Sequence, residues 1–240
     1  MSLPKANASA GASSTESDLT FQRKTDELVQ SIKAAVTEFH PKLALASSFG
    51  SEDMVLVDTL ARVRPGALVF YLDTDLLFEE TYRLIEVARK KYPLNFERVA
   101  TEVSVEEQER LYGPALWSRI PSQCCEIRKV EPLKKMLSKL DAWITGIRRE
   151  QSPTRANSEV REWDSRFGLA KINPLAYWSN EDVWKYIMKH NVPYNPMHDR
   201  NYPSIGCIHC TAPVLPGQDP RSGRWPGFAK TECGLHIQES

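Results

Sequence analysis

The sequence lacks any apolar run that approaches the roughly 20 residues of a membrane span. Its first 18 residues contain no apolar core of a signal peptide. The formal net charge is zero, because 31 Lys and Arg balance 31 Asp and Glu. No global electrostatic field therefore attracts nucleic acid or an anionic membrane. We therefore expect a soluble, cytoplasmic protein whose partners include neither membrane nor nucleic acid.

The common phosphate-binding signatures are absent too: the 240 residues contain neither a Walker-type Gly-Lys-Ser/Thr loop nor a GxGxxG motif. Cysteine is scarce, with five residues in all, and a reducing cytoplasm makes structural disulfides a poor explanation for them. Four of the five occur in two close pairs, Cys124 with Cys125 and Cys207 with Cys210. Such clustering points to metal binding or to redox catalysis.

Composition divides the chain into three parts. Residues 1–18 are rich in Ala, Ser and Gly and predict a disordered tail without function. Residues 19–205 predict the main α/β domain, which starts with a helix over 19–39. Residues 206–240 predict a separate C-terminal segment. Seven prolines between residues 191 and 240 exclude a regular sheet or a long helix over that span.

Short apolar runs alternate with helical patterns from residue 43 onward, and this alternation predicts an α/β fold with a mostly parallel sheet flanked by helices. Ser179 and Asn180 are both candidate N-caps for the last helix. The predicted strands are 43–48, 67–73, 95–100 and 142–147, and the predicted helices are 51–63, 79–92, one after the first Cys pair, and 180–190.

The two Cys pairs together supply four thiolates, the ligand set of a zinc ion or an iron–sulfur cluster. Cys124 and Cys125 begin a predicted helix that Ser122 could cap and that Pro132 should kink or interrupt. A disulfide between adjacent cysteines is strained, and a Cys-Cys knuckle is unusual for zinc. Ligand chemistry therefore favours a [4Fe–4S] cluster, with zinc or unligated thiols as alternatives.

Cys233 is left over, in "TECGLHI" near the end of the sequence. A lone cysteine is often an inert thiol. A thiol that lies near a histidine can instead be a reactive nucleophile, and His236 is three residues away. Spacing alone leaves both interpretations open.

Four motifs in order give the chain a resemblance to the phosphoadenylyl-sulfate reductase family, and within it to the assimilatory adenylyl-sulfate reductases of iron–sulfur type. They are "CCEIRKVEPL", "TGIRREQSPTR", "NPMHDRNYPSIGCIHCTAPV" and "ECGLH". The resemblance implies an adenine nucleotide α-hydrolase-like fold with a PP-loop. It further implies a [4Fe–4S] cluster on Cys124, Cys125, Cys207 and Cys210, and a catalytic nucleophile at Cys233.

The resemblance also assigns substrate-binding residues. "SSFGSED" at 47–53 is similar to the family's modified PP-loop, so Ser47, Ser48 and Gly50 are expected to bind the substrate; without the other motifs it reads equally as an ordinary βα turn. Asp73, at the end of the second strand, either meets the adenosine or caps the next helix.

An attack on a sulfate–phosphate anhydride needs cations around the sulfate and the leaving phosphate. Lys129 resembles the family's lysine between cluster and substrate, and His236 is expected to help bind or polarise the substrate. A single Lys or Arg is by default a solvated surface charge, so these assignments depend on the motifs. The candidate groups are Lys129, Arg148 with its neighbour Arg149, Arg221, Arg224 and His236.

The expected reaction is reduction of adenylyl sulfate to sulfite and AMP through an S-sulfocysteine on Cys233. Because four cysteines would hold the cluster, the resolving thiol must come from outside, from thioredoxin or a glutaredoxin. The alternatives are reduction of the 3′-phosphorylated nucleotide, a PP-loop tRNA sulfurtransferase and a non-catalytic metal-binding module. A homo-oligomer is compatible with the sequence.

Overall fold

A six-stranded sheet forms the centre of the chain in a computed structural model that describes residues 10–230, 232, 234 and 235, with side chains from residue 16. The strand order is β3-β2-β1-β4-β6-β5; all neighbours are parallel except β5 and β6, which are antiparallel. The predicted α/β fold with a mostly parallel sheet is confirmed. The strands are β1 Leu43–Ala46, β2 Leu68–Asp73, β3 Asn95–Ala100, β4 Ala142–Ile144, β5 Arg161–Asp164 and β6 Leu169–Ile172.

Helices cover both faces of the sheet. Those predicted from periodicity lie where expected, and Ser179, rather than Asn180, caps the last of them by accepting a hydrogen bond from the Asp182 N–H. The helices are α1 Ala10–Phe39, α2 Ser51–Val63, α3 Glu79–Lys91, α4 Val105–Tyr112, α5 Leu116–Arg119, α6 Pro121–Cys125, α7 Glu131–Leu137 and α8 Asn180–His190.

Helix α1 begins at Ala10, so the expectation of a disordered tail is wrong for residues 10–18. Ala, Ser and Glu tolerate a helix well, and contacts with α8 favour one here. The Lys185 ammonium lies 2.6 Å from the Asp18 carboxylate, and the buried Phe21 ring packs edge-on against Trp178. Tertiary packing, which composition does not reveal, thus extends the helix towards its N-terminus.

The helical stretch that carries the first Cys pair is interrupted, as the position of Pro132 predicts. It starts as α6, passes through one π-helical turn at Glu126–Val130 and continues as α7. Proline has no N–H to donate to the preceding turn, which favours such an irregularity. Ser122 is not the cap: Pro121 occupies the first helical turn, and the Ser122 hydroxyl accepts a hydrogen bond from Lys230 instead.

Strands β5 and β6 were not predicted. Each has four residues, and β5 is the exposed edge strand "REWD", whose charged residues hide the pattern of a strand. The segment from 191 to 230 has the predicted irregularity, because its described residues form 3₁₀ turns at Pro196–Arg200 and Ile208–Cys210 and no longer helix or strand.

The four central strands, β1, β2, β4 and β6, bury both faces, which explains their nearly continuous apolar character. In β1, Leu43 and Leu45 face the core formed with α1, α2, α3 and α8, whereas Ala44 faces the core formed with α7. No helix in the described part of the chain is long and apolar enough to cross a membrane.

We predict that Leu28→Ala in α1 lowers the free energy of unfolding by about 2–5 kcal/mol, because Leu28 is 0% exposed and its truncation leaves a cavity in the main core. Urea denaturation measures the loss. Leu19→Ala in the same helix is the matched control: Leu19 is 71% exposed, and the change should stay within about 0.5 kcal/mol. Equal losses in both variants would contradict the docking of α1.

Candidate functional site

A cavity of about 440 Å³ opens where β1 and β4 end, at the carboxyl edge of the parallel sheet. Ligands of open α/β sheets bind at this edge. Seven of the nine predicted substrate-binding residues line the cavity: Ser47, Ser48, Gly50, Lys129, Arg148, Arg221 and Arg224. Residues far apart in sequence therefore meet at one site.

The turn between β1 and α2 is held in one conformation. Phe49 adopts a left-handed backbone conformation, with φ of 59°, and its N–H donates to the Ser47 hydroxyl. Its ring is buried and packs edge-on against Tyr71. Gly50 then forms the N-cap of α2 without a capping side chain. The turn therefore presents the N-terminus of a 13-residue helix to the cavity, an arrangement that suits an anion.

Asp53, which the sequence analysis did not select, lines the cavity behind this turn. Its carboxylate accepts hydrogen bonds from the Ser48 N–H at 2.5 Å and from the Ser48 hydroxyl at 2.7 Å. Burial raises the pKa of Asp53 to about 6, and the charge of Glu52 adds to the rise, although the bonds from Ser48 oppose it. Its place in "SSFGSED" could have suggested a role.

Gly146, from the "TGIRREQ" motif, permits this arrangement. A Cβ atom at that position would lie 2.3 Å from Asp53 Oδ1 and 3.1 Å from Glu52 Cβ. Only glycine therefore lets the end of β4 approach the first turn of α2 so closely.

Arg148 lines the cavity, but its guanidinium is already engaged. It lies 2.9 Å from the Glu52 carboxylate, and it also donates to Glu150 and to the Trp178 carbonyl. Burial, the largest single influence, would raise the pKa of Glu52, but the charge of Arg148 and the hydrogen bonds to the carboxylate together hold that pKa below its usual range. The pair therefore joins the β4 loop to α2 and supplies little uncompensated positive charge to the cavity.

Asp73 does not line the cavity, and it does not cap α3; its role in substrate binding stays a prediction. Its carboxylate accepts hydrogen bonds from the Asp75 N–H, the Tyr82 hydroxyl and Arg98. These three hydrogen bonds hold the turn after β2 and join that turn to α3 and β3.

The C-terminal segment supplies one wall of the cavity. Arg221 and Glu232 line it, and Arg224 lies there with its guanidinium over the Trp225 ring at 4.6 Å. Gly206 makes room for Arg224, because a Cβ atom there would lie 2.3 Å from the Arg224 Nη2 atom. Cys233 and His236, the predicted nucleophile and its neighbour, lie outside the described residues.

The four predicted metal ligands line a second, smaller cavity: Cys124, Cys125, Cys207 and Cys210 are all buried, and none forms a disulfide. Burial and the neighbouring thiols raise the pKa of Cys124 to about 11 and of Cys210 to about 12. The CxxC loop reaches this place because the Ile208 N–H donates to the Leu76 carbonyl and the Trp225 N–H to the Cys210 carbonyl.

Polar groups adjoin two of these sulfurs. The Thr74 hydroxyl lies 3.3 Å from Cys207 Sγ, and the Gln108 amide lies 4.0 Å from Cys124 Sγ. His209, inside the CxxC, stacks on Trp117 with ring centroids 4.3 Å apart. In the described residues, no three His, Cys, Asp or Glu side chains are arranged around a single metal position.

Lys129 lines both cavities. The π-helical turn that contains it follows the first Cys pair directly, and its charge acts on Cys210 by lowering the pKa of that thiol against the larger effect of burial. Lys129 therefore lies between the four thiols and the larger cavity, and its contact with a substrate stays a prediction.

Together, fold and cavities define an adenine nucleotide α-hydrolase-like protein. Among solved structures, the chain is similar to phosphoadenylyl-sulfate reductase from Candida auris, in a phosphate complex: TM-score 0.67 and 29% identity, over 77% of this chain and 90% of that one. FMN adenylyltransferase from Candida glabrata shares the fold alone, at TM-score 0.58 and 14% identity.

The profile of the phosphoadenosine phosphosulfate reductase domain matches residues 42–213, and the chain belongs to this family. It is 51% identical over 206 residues to adenosine 5′-phosphosulfate reductase of Halalkalibacterium halodurans, covering 85% of this chain and 89% of that protein. It is 52% identical over 205 residues to phosphoadenosine 5′-phosphosulfate reductase of Gloeobacter violaceus, covering 84% of this chain and 85% of that protein.

We predict that Asp53→Asn removes a pH dependence of stability. With a pKa of about 6 when folded and 3.8 as the ordinary value, Asp53 binds a proton more readily in the folded state. It therefore favours folding at low pH and loses up to about 3 kcal/mol of that contribution as the pH rises from about 4 to above 6. Urea denaturation of wild type and variant across this pH range gives the difference in their free energies of unfolding, which measures the contribution of Asp53.

Glu79→Gln is the matched control, because Glu79 is an exposed carboxylate outside the cavity, in an i,i+4 pair with Arg83. Its stability should follow the wild-type pH profile. A flat difference between wild type and Asp53→Asn from pH 4 to 7 would contradict the raised pKa.

Proposed function

We propose that this chain reduces adenylyl sulfate to sulfite and AMP, with thioredoxin or a glutaredoxin as the reductant. The observation that carries the proposal is the position of Lys129, which lines both the nucleotide cavity and the cavity of the four thiols. The relative from Halalkalibacterium halodurans, at 51% identity, is named for reduction of adenosine 5′-phosphosulfate. The reaction is expected in the cytoplasm, where thioredoxin keeps thiols reduced.

The cavity offers the charges that this substrate requires. Adenylyl sulfate carries negative charge on its sulfate and on its phosphate, and Lys129, Arg221 and Arg224 approach from two separate parts of the chain. The Ser47–Gly50 turn and the N-terminus of α2 supply N–H donors at the end of β1. Cations fixed around the sulfate–phosphate anhydride stabilise the negative charge that grows on the leaving phosphate.

The proposed chemistry proceeds in three displacements. The Cys233 thiolate attacks the sulfate sulfur, an S–S bond forms, the bond from sulfur to the bridging phosphate oxygen breaks, and AMP leaves with the electron pair. A thiolate of the external dithiol then attacks Cys233 Sγ and releases sulfite. The second thiol of the dithiol frees Cys233, and the oxidised dithiol has supplied both electrons.

The four buried thiols fit a [4Fe–4S] cluster, which we propose as the resident cofactor. Burial and the neighbouring thiols raise the pKa of Cys124 and of Cys210, so a metal centre that accepts these thiols as thiolates would relieve this cost. A cluster takes one thiolate at each iron, whereas a zinc ion gathers all four around a single position. The cluster would hold the Cys pair and the CxxC loop together beside Lys129, at the edge of the nucleotide cavity.

We predict that Cys124→Ser and Cys210→Ser each abolish the cluster, since each removes one of four ligands. Iron and acid-labile sulfide in anaerobically purified protein should fall from about four of each per chain to near zero, with loss of the brown colour. Cys233→Ser is the matched control and should keep full iron content. Full zinc without iron in the wild type would refute the cluster.

We predict that Cys233→Ser forms no sulfite from adenylyl sulfate and reduced thioredoxin. Single-turnover labelling with ³⁵S-substrate should place label on wild-type protein and none on the variant. Sulfite production by an iron-replete Cys233→Ser protein would overturn the proposed nucleophile.

Reduction of 3′-phosphoadenylyl sulfate is the second candidate, because the relative from Gloeobacter violaceus, at 52% identity, is named for it. The same assay distinguishes the two substrates. We expect kcat/KM to favour adenylyl sulfate, and a strong preference for the 3′-phosphorylated nucleotide would select the second candidate.

A further inference from the structure

The Glu232 carboxylate joins three parts of the chain at the wall of the nucleotide cavity. Its Oε1 accepts a hydrogen bond from Arg155 Nε at 3.1 Å, and its Oε2 accepts from Arg155 Nη2 at 3.0 Å and from Arg221 Nη2 at 3.1 Å. The hydroxyls of Ser152 and Thr154 add two longer contacts with Oε1, at 3.4 and 3.3 Å. Arg155 therefore forms a bidentate ion pair with Glu232, and Arg221 donates a further hydrogen bond to the same carboxylate.

The pair is buried, since the Glu232 side chain is 7% exposed and that of Arg155 10%. Burial, the largest single influence, would raise the pKa of Glu232, but the charges of Arg155 and Arg221 and the hydrogen bonds to the carboxylate together hold that pKa below its usual range. All three residues line the nucleotide cavity. The carboxylate therefore neutralises, from within the protein, two cations that an anionic substrate would seek.

We propose that Glu232 is a positioning residue that anchors the chain immediately before Cys233 and competes with the substrate's anionic groups for Arg155 and Arg221. The inference rests on the proposed function, in which Cys233 is the nucleophile. Glu232 precedes that residue directly, so holding its carboxylate limits where the next thiol can be.

The neighbouring contacts are consistent with an anchor. Upstream, Lys230 donates to the Ser122 hydroxyl, beside the Cys pair. Downstream, Arg166 donates to the Gly234 carbonyl, and Leu235 packs on the smaller core with α7. Of these contacts, the Glu232 carboxylate alone joins the segment to cationic side chains of the nucleotide cavity.

The two parts of the proposal predict opposite effects of one substitution. Glu232→Gln keeps the shape but removes the charge, and its amide N–H₂ faces guanidinium groups. Sulfate transfer to Cys233 should slow, because the anchor weakens. Nucleotide binding should tighten, because Arg155 and Arg221 lose their internal competitor. A purely structural ion pair would give weaker binding and slower transfer together.

The first experiment uses no substrate. Hydrogen exchange of peptides covering residues 226–235 is compared in wild-type holoenzyme, Glu232→Gln, Glu232→Asp and Arg155→Gln. Exchange should rise in Glu232→Gln and Arg155→Gln, and less in Glu232→Asp, which keeps the charge. Glu162→Gln is the matched control: it breaks a pair with Lys171 that is similarly buried and lies outside the nucleotide cavity. Unchanged exchange in Glu232→Gln would overturn the anchor.

The second experiment measures binding and transfer. In a Cys233→Ser background, calorimetry with adenylyl sulfate and with AMP should give roughly tenfold tighter binding when Glu232→Gln is added, the scale of one charge-assisted hydrogen bond. With Cys233 intact, single-turnover transfer of ³⁵S-sulfate to protein should fall by about tenfold or more, with partial recovery in Glu232→Asp. Weaker or unchanged nucleotide binding would overturn the competition.

Failure of the proposed function and failure of the positioning role of Glu232 give different results. If wild-type protein transfers sulfate from neither adenylyl sulfate nor its 3′-phosphorylated form, the proposed function fails, while hydrogen exchange still reports whether Glu232 anchors the segment. If wild-type protein transfers sulfate and Glu232→Gln transfers it at the same rate, the positioning role fails and the proposed function stands.

Discussion

The buried guanidinium of Arg128 is the constraint on which the arrangement of both cavities depends. It is 1% exposed and extends from the π-helical turn after the first Cys pair. It donates to the Thr74 and Val103 carbonyls and to the Gln108 side chain, and it pairs with the Asp75 carboxylate at 3.1 Å. A buried charge with its donors satisfied fixes geometry, because any displacement leaves it unpaired in a medium of low polarity.

Several features of the site follow from that contact. Arg128 holds the helix with the Cys pair against the turn after β2, and the CxxC loop docks on the same turn through the Leu76 carbonyl. Two thiols from each region therefore meet, although about eighty residues separate the pairs. Lys129, the next residue, lies on both cavities. The four thiols and the larger cavity are consequently parts of one structural unit.

Regular elements could be predicted where a periodic pattern extends over many residues. Helices α2 and α8 have the predicted bounds because apolar residues recur at helical spacing over thirteen and eleven residues, and strand β3 has its predicted bounds too. Strand β5 could not be predicted, since the charged edge strand "REWD" owes its form to pairing with β6. Helix α1 starts before its predicted bound, and its Asp18 pairs with Lys185 of α8.

The same division applies to the site. The sequence by itself determined the chemistry: which thiols can act as ligands, which loop meets an anion, and which cations stand near them in motifs. Only the tertiary structure decided which charges are already paired. It assigns Asp73 to a turn, Arg148 to Glu52 and Glu232 to Arg155, 77 residues away. Such pairings depend on how elements that are far apart in sequence pack together, and a local sequence pattern does not reveal that packing.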